Sequence, residues 1–87
     1  MTQGKVTVIN ETGLHARPAN VFIRIAAGFP CSVYIEKKGK RYNGKSIVNV
    51  LSACVRKDDE ITLITDGERE EEAFEELAGA IREGLGE

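Results

Sequence analysis

Apolar residues along this chain change their spacing several times, and that rhythm limits the folds open to it. Val6 and Val8 alternate, as do Val33 and Ile35, the period-two signal of half-buried strands. Ala19, Phe22, Ile23 and Ala26 instead recur at i, i+3, i+4 and i+7, one face of a helix. Phe74, Leu77, Ala78, Ile81 and Leu85 form a second helical stripe near the end of the chain. The spacing predicts strands over residues 5–9, 32–36, 40–43 and 60–65, and helices over residues 16–27, 47–53 and 69–84. Gly28 is placed to end the first helix, and Lys37-Lys38-Gly39-Lys40 to turn a hairpin. Ser46 is placed to cap the short second helix. The order β-α-β-β-α-β-α implies an α+β fold: one mostly antiparallel sheet with helices on one face. Element order alone leaves the strand order open between a ferredoxin-like arrangement and others.

Residues 1–87 are expected to form one small domain, with no repeat, low-complexity tract or linker. With 41% hydrophobic but only 6% aromatic residues, its core must be aliphatic. A net charge of −2 provides no basic footprint, so direct binding of nucleic acid is not expected. The charges are unevenly placed. Arg17, Arg24, Lys37, Lys38, Lys40, Arg41 and Lys45 lie in the first half, and acids gather at residues 58–60 and 68–76. That asymmetry predicts a basic face able to meet an acidic partner. No signal peptide or membrane-length apolar run is recognisable, so the expected compartment is the cytoplasm, without membrane insertion. Cys31 and Cys54 are then expected as free thiols, and one histidine with two distant cysteines offers no metal site. The glutamates at 70–72, 75 and 76 read as the solvated face of the last helix.

The single histidine lies in the run Gly13-Leu14-His15-Ala16-Arg17-Pro18-Ala19. Proline is favoured in the first turn of a helix, where its missing N–H costs nothing. His15 therefore falls at a helix N-terminus, whose orphan N–H groups and positive dipole end attract anions. Arg17 adds a planar guanidinium able to hold a phosphate through two parallel bonds. A lone histidine near a helix start is more often a cap or a surface residue. Beside an anion cradle, however, a neutral imidazole is equipped to accept a phosphoryl group.

A competing motif lies further on. Gly39-Lys40-Arg41-Tyr42-Asn43-Gly44-Lys45-Ser46 matches the G-x-x-x-x-G-K-[ST] pattern of a phosphate-binding loop, and residues 61–66 mimic a strand ending in a magnesium-binding aspartate. Bulky Lys40, Arg41 and Tyr42 look like a strand rather than a loop that wraps phosphate. The following helix is also too short for a parallel crossover. No nucleotide or other cofactor is expected.

The run Thr12-Gly13-Leu14-His15-Ala16-Arg17-Pro18-Ala19 resembles the active-site signature of HPr, the histidine-containing phosphocarrier of the bacterial sugar phosphotransferase system. Lys45-Ser46-Ile47 stands at that family's regulatory serine with matching spacing, and the likeness continues to Glu83-Gly84-Leu85-Gly86-Glu87. The resemblance implies an open-faced β-sandwich of strand order 1-4-2-3 with three helices on one face. It implies a phosphocarrier, a transferase component rather than a stand-alone enzyme, acting as a monomer. His15 would accept phosphate on Nδ1 from enzyme I and pass it to enzyme IIA domains, with Arg17 and the helix start at Ala16 and Pro18 neutralising it. Ser46 would be a regulatory phosphorylation site, bringing HPr kinase/phosphorylase and a catabolite-control transcription regulator as partners. Thr12, Ala16, Asn20, Arg24, Lys45, Ile47, Val48 and Leu51 would meet partners. Helical spacing 47-50-51-54 taken alone suggests a buried stripe; Val48 falls off it, and Val50 is the better core residue. Asn49 and Cys54 depart from the family pattern, standing where glycines are usual. A purely regulatory relative would lack the histidine.

Overall fold

The elements form in the order that the periodicity predicts: β1 (Thr2–Thr7), α1 (Ala16–Ala27), β2 (Ser32–Lys37), β3 (Lys40–Asn43), α2 (Ile47–Ser52), β4 (Glu60–Asp66) and α3 (Glu70–Arg82). This computed structural model describes residues 1–86; Glu87, the last residue of the closing motif, lies outside the described residues. The strands make one antiparallel sheet in the order β1-β4-β2-β3, which settles what element order left open. Val6, Ile61, Leu63, Val33 and Ile35 face the helices and bury against Phe22, Val50, Leu77 and Ile81. The core is aliphatic apart from Phe22, Phe29 and Cys31. No helix among the described residues is long and apolar enough to cross a membrane.

Two elements depart from expectation by more than one residue, β1 and α3. β1 runs over Thr2–Thr7 rather than 5–9, because its register is set by β4, from Thr2 opposite Thr65 to Thr7 opposite Glu60. The polar start of the strand carries no apolar alternation, so its pairing was invisible in the sequence. Val8 still exchanges backbone bonds with Asp59 (2.9 Å) and Asp58 (2.6 Å), but Asp58 at φ 73 breaks the ladder there. Ile9 is left outside the strand, 49% exposed. Gly4 within β1 makes room for Phe74: a Cβ there would stand 2.8 Å from the ring. α3 stops at Arg82 rather than 84, because Gly84, Leu85 and Gly86 all take left-handed backbone and turn Leu85 into the core.

Lys37 ties the sheet to α2. Its Nζ donates to the carbonyls of Ala53 (3.3 Å) and Cys54 (2.7 Å) at the end of that helix, and lies 3.0 Å from Asp59 Oδ2. A cation over orphan carbonyls is the favourable end of the helix dipole. Asp59 is held below its ordinary carboxylate pKa, first by the Arg56 backbone N–H and then by Lys37.

Several non-glycine residues occupy the left-handed region. Lys38 at φ 52 and Gly39 at φ 80 make the two-residue turn between β2 and β3, where both residues need positive φ. Cys54 at φ 52 follows the C-cap of α2, the position that most often takes glycine. The departure noted in the sequence is thus a backbone cost. Cys54→Gly should raise stability by roughly 0.5–1 kcal/mol, whereas Cys54→Ala, which keeps a Cβ, should leave it unchanged; paired thermal melts decide this.

At the opposite edge, Glu70 gathers the Met1 amine (2.8 Å), the Gly67 N–H (3.0 Å) and the Thr2 hydroxyl (2.8 Å). The Met1 amine is the main cause, with Gly67 and Thr2 behind it, and together they hold the carboxyl down to about 2. A folded-state pKa below the unfolded one contributes stability that is complete above the unfolded value of 4.5 and is lost as pH falls toward 2. Melting temperature should therefore fall over that window, and Glu70→Gln should flatten that part of the acid limb.

Candidate functional site

His15 is the N-cap residue of α1, with extended backbone (φ −135, ψ 161) and no side-chain bond into the helix. Its side chain is exposed while Leu14 beside it is fully buried. The alternation follows from how the loop is held. Gly13, at φ 63, lies so close to the Val55 carbonyl and Arg56 that any Cβ would collide with them. Leu14 N–H donates to the Val55 carbonyl at 3.0 Å, and Gly13 N–H to the Asn10 carbonyl at 3.1 Å. Asn10, itself buried, donates from Nδ2 to the Gly13 carbonyl. These bonds fix the peptide that precedes His15 and turn its ring outward.

The residue after His15 is strained. Ala16 enters α1 at φ 52, a left-handed conformation that costs an L-residue about 1–2 kcal/mol. First-turn N–H groups have no acceptor within the helix, and Pro18 has none to satisfy. An anion at His15 would meet those donors and the positive end of a 12-residue helix.

Ala16, Arg17, Asn20, Val21 and Arg24 line one open groove of 680 Å³ along α1. Arg17 and Arg24 are exposed, and Gly86 of the C-terminal turn flanks the groove, where a Cβ would lie 3.6 Å from both Arg17 and Val21. Four sequence-predicted residues, Ala16, Arg17, Asn20 and Arg24, therefore share a surface next to His15. Pro18 is buried in the first turn and serves its geometry. Thr12 is exposed on the loop before the histidine.

α2 packs against α1 and carries the second surface. Val48 is 68% exposed, and Ile47 and Leu51 are each 38% exposed, whereas Val50 is fully buried. The buried stripe suggested by spacing 47-50-51-54 is thus corrected: a helix of six residues on the rim of the core buries one side chain. Lys45 does not line the groove; its Nζ donates to the Phe29 carbonyl at 2.6 Å, just beyond α1. Ser46 caps α2, its Oγ accepting from the Asn49 N–H at 3.3 Å. Half of the phosphate-loop pattern at 39–46 is strand: Lys40–Asn43 pairs with β2, and the Gly44 N–H is spent on the Val33 carbonyl at 2.7 Å.

Val21 and Gly86 border the α1 groove, Asn10 braces the His15 loop from within, and Asn49 bonds the Ser46 hydroxyl; the sequence reading assigned none of them these roles. Asn10 had a readable signal, since an asparagine three residues before a glycine favours a side-chain turn. The others depend on tertiary contacts.

The family model described as the PTS HPr component phosphorylation site matches residues 2–83. The chain is 47% identical over 83 residues to the HPr-like protein Crh of Bacillus subtilis, covering 95% of this chain and 98% of that one. The crystal structure of HPr-C-His from Thermoanaerobacter tengcongensis superposes with a TM-score of 0.97 at 37% identity, over 100% of this chain and 98% of that chain. A crystal structure of Crh from Bacillus subtilis, described as a domain-swapped dimer, gives 0.78 at 46% identity over 98% of each chain. With this fold, this coverage and a histidine standing at the start of α1, the chain belongs to the HPr family.

Proposed function

We propose that the protein is a phosphocarrier of the sugar phosphotransferase system, with His15 as the phosphoryl acceptor. The observation that carries this reading is an exposed imidazole at the N-terminus of α1 beside the groove of Arg17 and Arg24. In the reaction, the Nδ1 lone pair attacks the phosphorus carried by enzyme I. The donor N–P bond breaks as the His15 N–P bond forms, and its electron pair returns to the donor. Arg17 and the first-turn N–H groups of α1 hold the transferred charge. The same displacement in reverse order delivers the group to an enzyme IIA domain.

Docking uses the groove residues Asn20 and Arg24, Thr12 before the histidine, and the apolar residues Ile47, Val48 and Leu51. Lys45 adds a cation at the margin. A small apolar patch with a charged rim supports fast, weak encounters, which a carrier visiting two partners requires. The carrier works in the cytoplasm as a monomer over residues 1–87.

Incubation with phosphoenolpyruvate and enzyme I, followed by mass spectrometry, tests the acceptor. An acid-labile phosphoryl group is expected on His15. His15→Ala should abolish transfer while shifting stability by less than about 0.5 kcal/mol, since the side chain has little packing to lose. Continued phosphorylation of that variant would overturn the assignment.

Ser46 is the regulatory site of this reading, taking phosphate from ATP through an HPr kinase/phosphorylase and then presenting it to a catabolite-control transcription regulator. The likeness to Crh, described in its solved structure as a catabolite repression protein, favours a second reading in which that signal is the main output. Phosphoryl transfer to His15 separates the two. A phosphate on Ser46 would place about −1.5 to −2 charges beside the docking patch. Ser46→Asp should therefore slow transfer from enzyme I several-fold. Its melting temperature should equal or exceed that of the parent, because aspartate also caps a helix. Repeating the assay at high salt distinguishes repulsion, which salt screens, from desolvation, which it does not.

A further inference from the structure

Ser46 does not stand free ahead of α2. Its Oγ accepts a bond from the backbone N–H of Asn49 at 3.3 Å and a second from the Asn49 side chain, Nδ2, at 3.2 Å. The other end of that amide, Oδ1, accepts from the Asn43 N–H at 3.4 Å. Asn43 in turn accepts from the Lys45 N–H through its own Oδ1 at 2.9 Å. The direction of the Asn49 amide follows from chemistry. A backbone N–H can only donate, so the atom facing Asn43 must be the oxygen and the atom facing Ser46 the NH₂ group.

A serine hydroxyl has one proton to donate and two lone pairs to accept with. Both acceptor positions of Ser46 are taken by one residue. The two bonds differ in kind. The one from the Asn49 N–H is the helix cap, which any residue at 49 except proline would supply. The one from Nδ2 depends on asparagine, at a position where the family usually has glycine.

We infer that Asn49 is a positioning residue that locks the Ser46 hydroxyl and slows its phosphorylation. The inference rests on the reading of Ser46 as a kinase target. In that reaction an Oγ lone pair attacks the γ-phosphorus of ATP. The Oγ–P bond forms as the bond to the β,γ-bridging oxygen breaks. That electron pair leaves with ADP, and the hydroxyl proton passes to a base of the kinase. Attack needs a lone pair that the Nδ2 bond occupies, so the amide must let go first. The lock sets the rate of Ser46 phosphorylation and leaves the His15 reaction untouched.

The test compares the full chain with Asn49→Ala, which keeps the backbone cap and removes the amide, and with Asn49→Gly as a second release of the hydroxyl. Each is given to HPr kinase/phosphorylase with ATP and magnesium, and separately to enzyme I with phosphoenolpyruvate. The kcat for Ser46 should rise roughly threefold to tenfold in both variants, the range expected for freeing one neutral hydrogen bond. KM for the protein and the rate of His15 phosphorylation should stay as in the parent. The Ser46 side-chain couplings in NMR should move from a single rotamer toward averaging, a readout that needs no kinase. An unchanged or lower kcat overturns the lock while leaving the Ser46 assignment standing. A change confined to KM overturns it too, and assigns Asn49 to kinase docking. Absence of Ser46 phosphorylation in all three proteins, with His15 still phosphorylated, removes the regulatory reading and the lock together.

Discussion

Two loops at one end of the sheet are stitched together by backbone bonds, and the outward placement of His15 follows from that seam. Val8 bonds to Asp58 and Asp59, and Leu14 to Val55. Lys37 secures the far side of the same seam by bridging the end of α2 to Asp59, whose carboxylate also accepts from the Arg56 N–H. The loop carrying His15 is therefore held from below by buried Leu14 and from the side by a braced neighbour. A reactive side chain on a loop needs such a scaffold to keep its geometry while staying exposed.

Much of this architecture was legible because periodicity records burial. α1 starts and ends where Ala19, Phe22, Ala26 and Gly28 place it, and β3 begins and ends as read. β1 was not, because Thr2, Gln3 and Gly4 hold their place through β4 and Phe74, partners far along the chain. The strand order was beyond any local pattern; only the resemblance supplied it. At the site, His15 and Arg17 stand out as residue types in a short motif. The amides of Asn10 and Asn49 do not, since an asparagine shows its purpose only when its bonding partners are in place.

The two candidate partner surfaces divide the physical work. The α1 groove is polar and basic, suited to guiding an acidic surface over long range, while the α2 patch offers exposed aliphatic side chains that act only on contact. The acids sit elsewhere: α3 carries Glu70, Glu71 and Glu72 in its first turn, where they complement the dipole of that helix. Separating the charges in this way keeps the basic groove free of internal partners on its own helix.

The outward face of the sheet is also not uniformly wet. Ile64 points away from the helices, yet it is 1% exposed, lying between Gln3 and Tyr34 on the neighbouring strands. Arg41 extends over the Tyr34 ring at 5.3 Å and adds to that cover. β4 is consequently dry on its inner face and at one point on its outer face, and it is flanked by strands on both sides. Local fluctuations can fray β3 or lift β1 at the edges. Water reaches the middle of β4 only when the whole sheet comes apart, so its amide hydrogens should report global unfolding and little else.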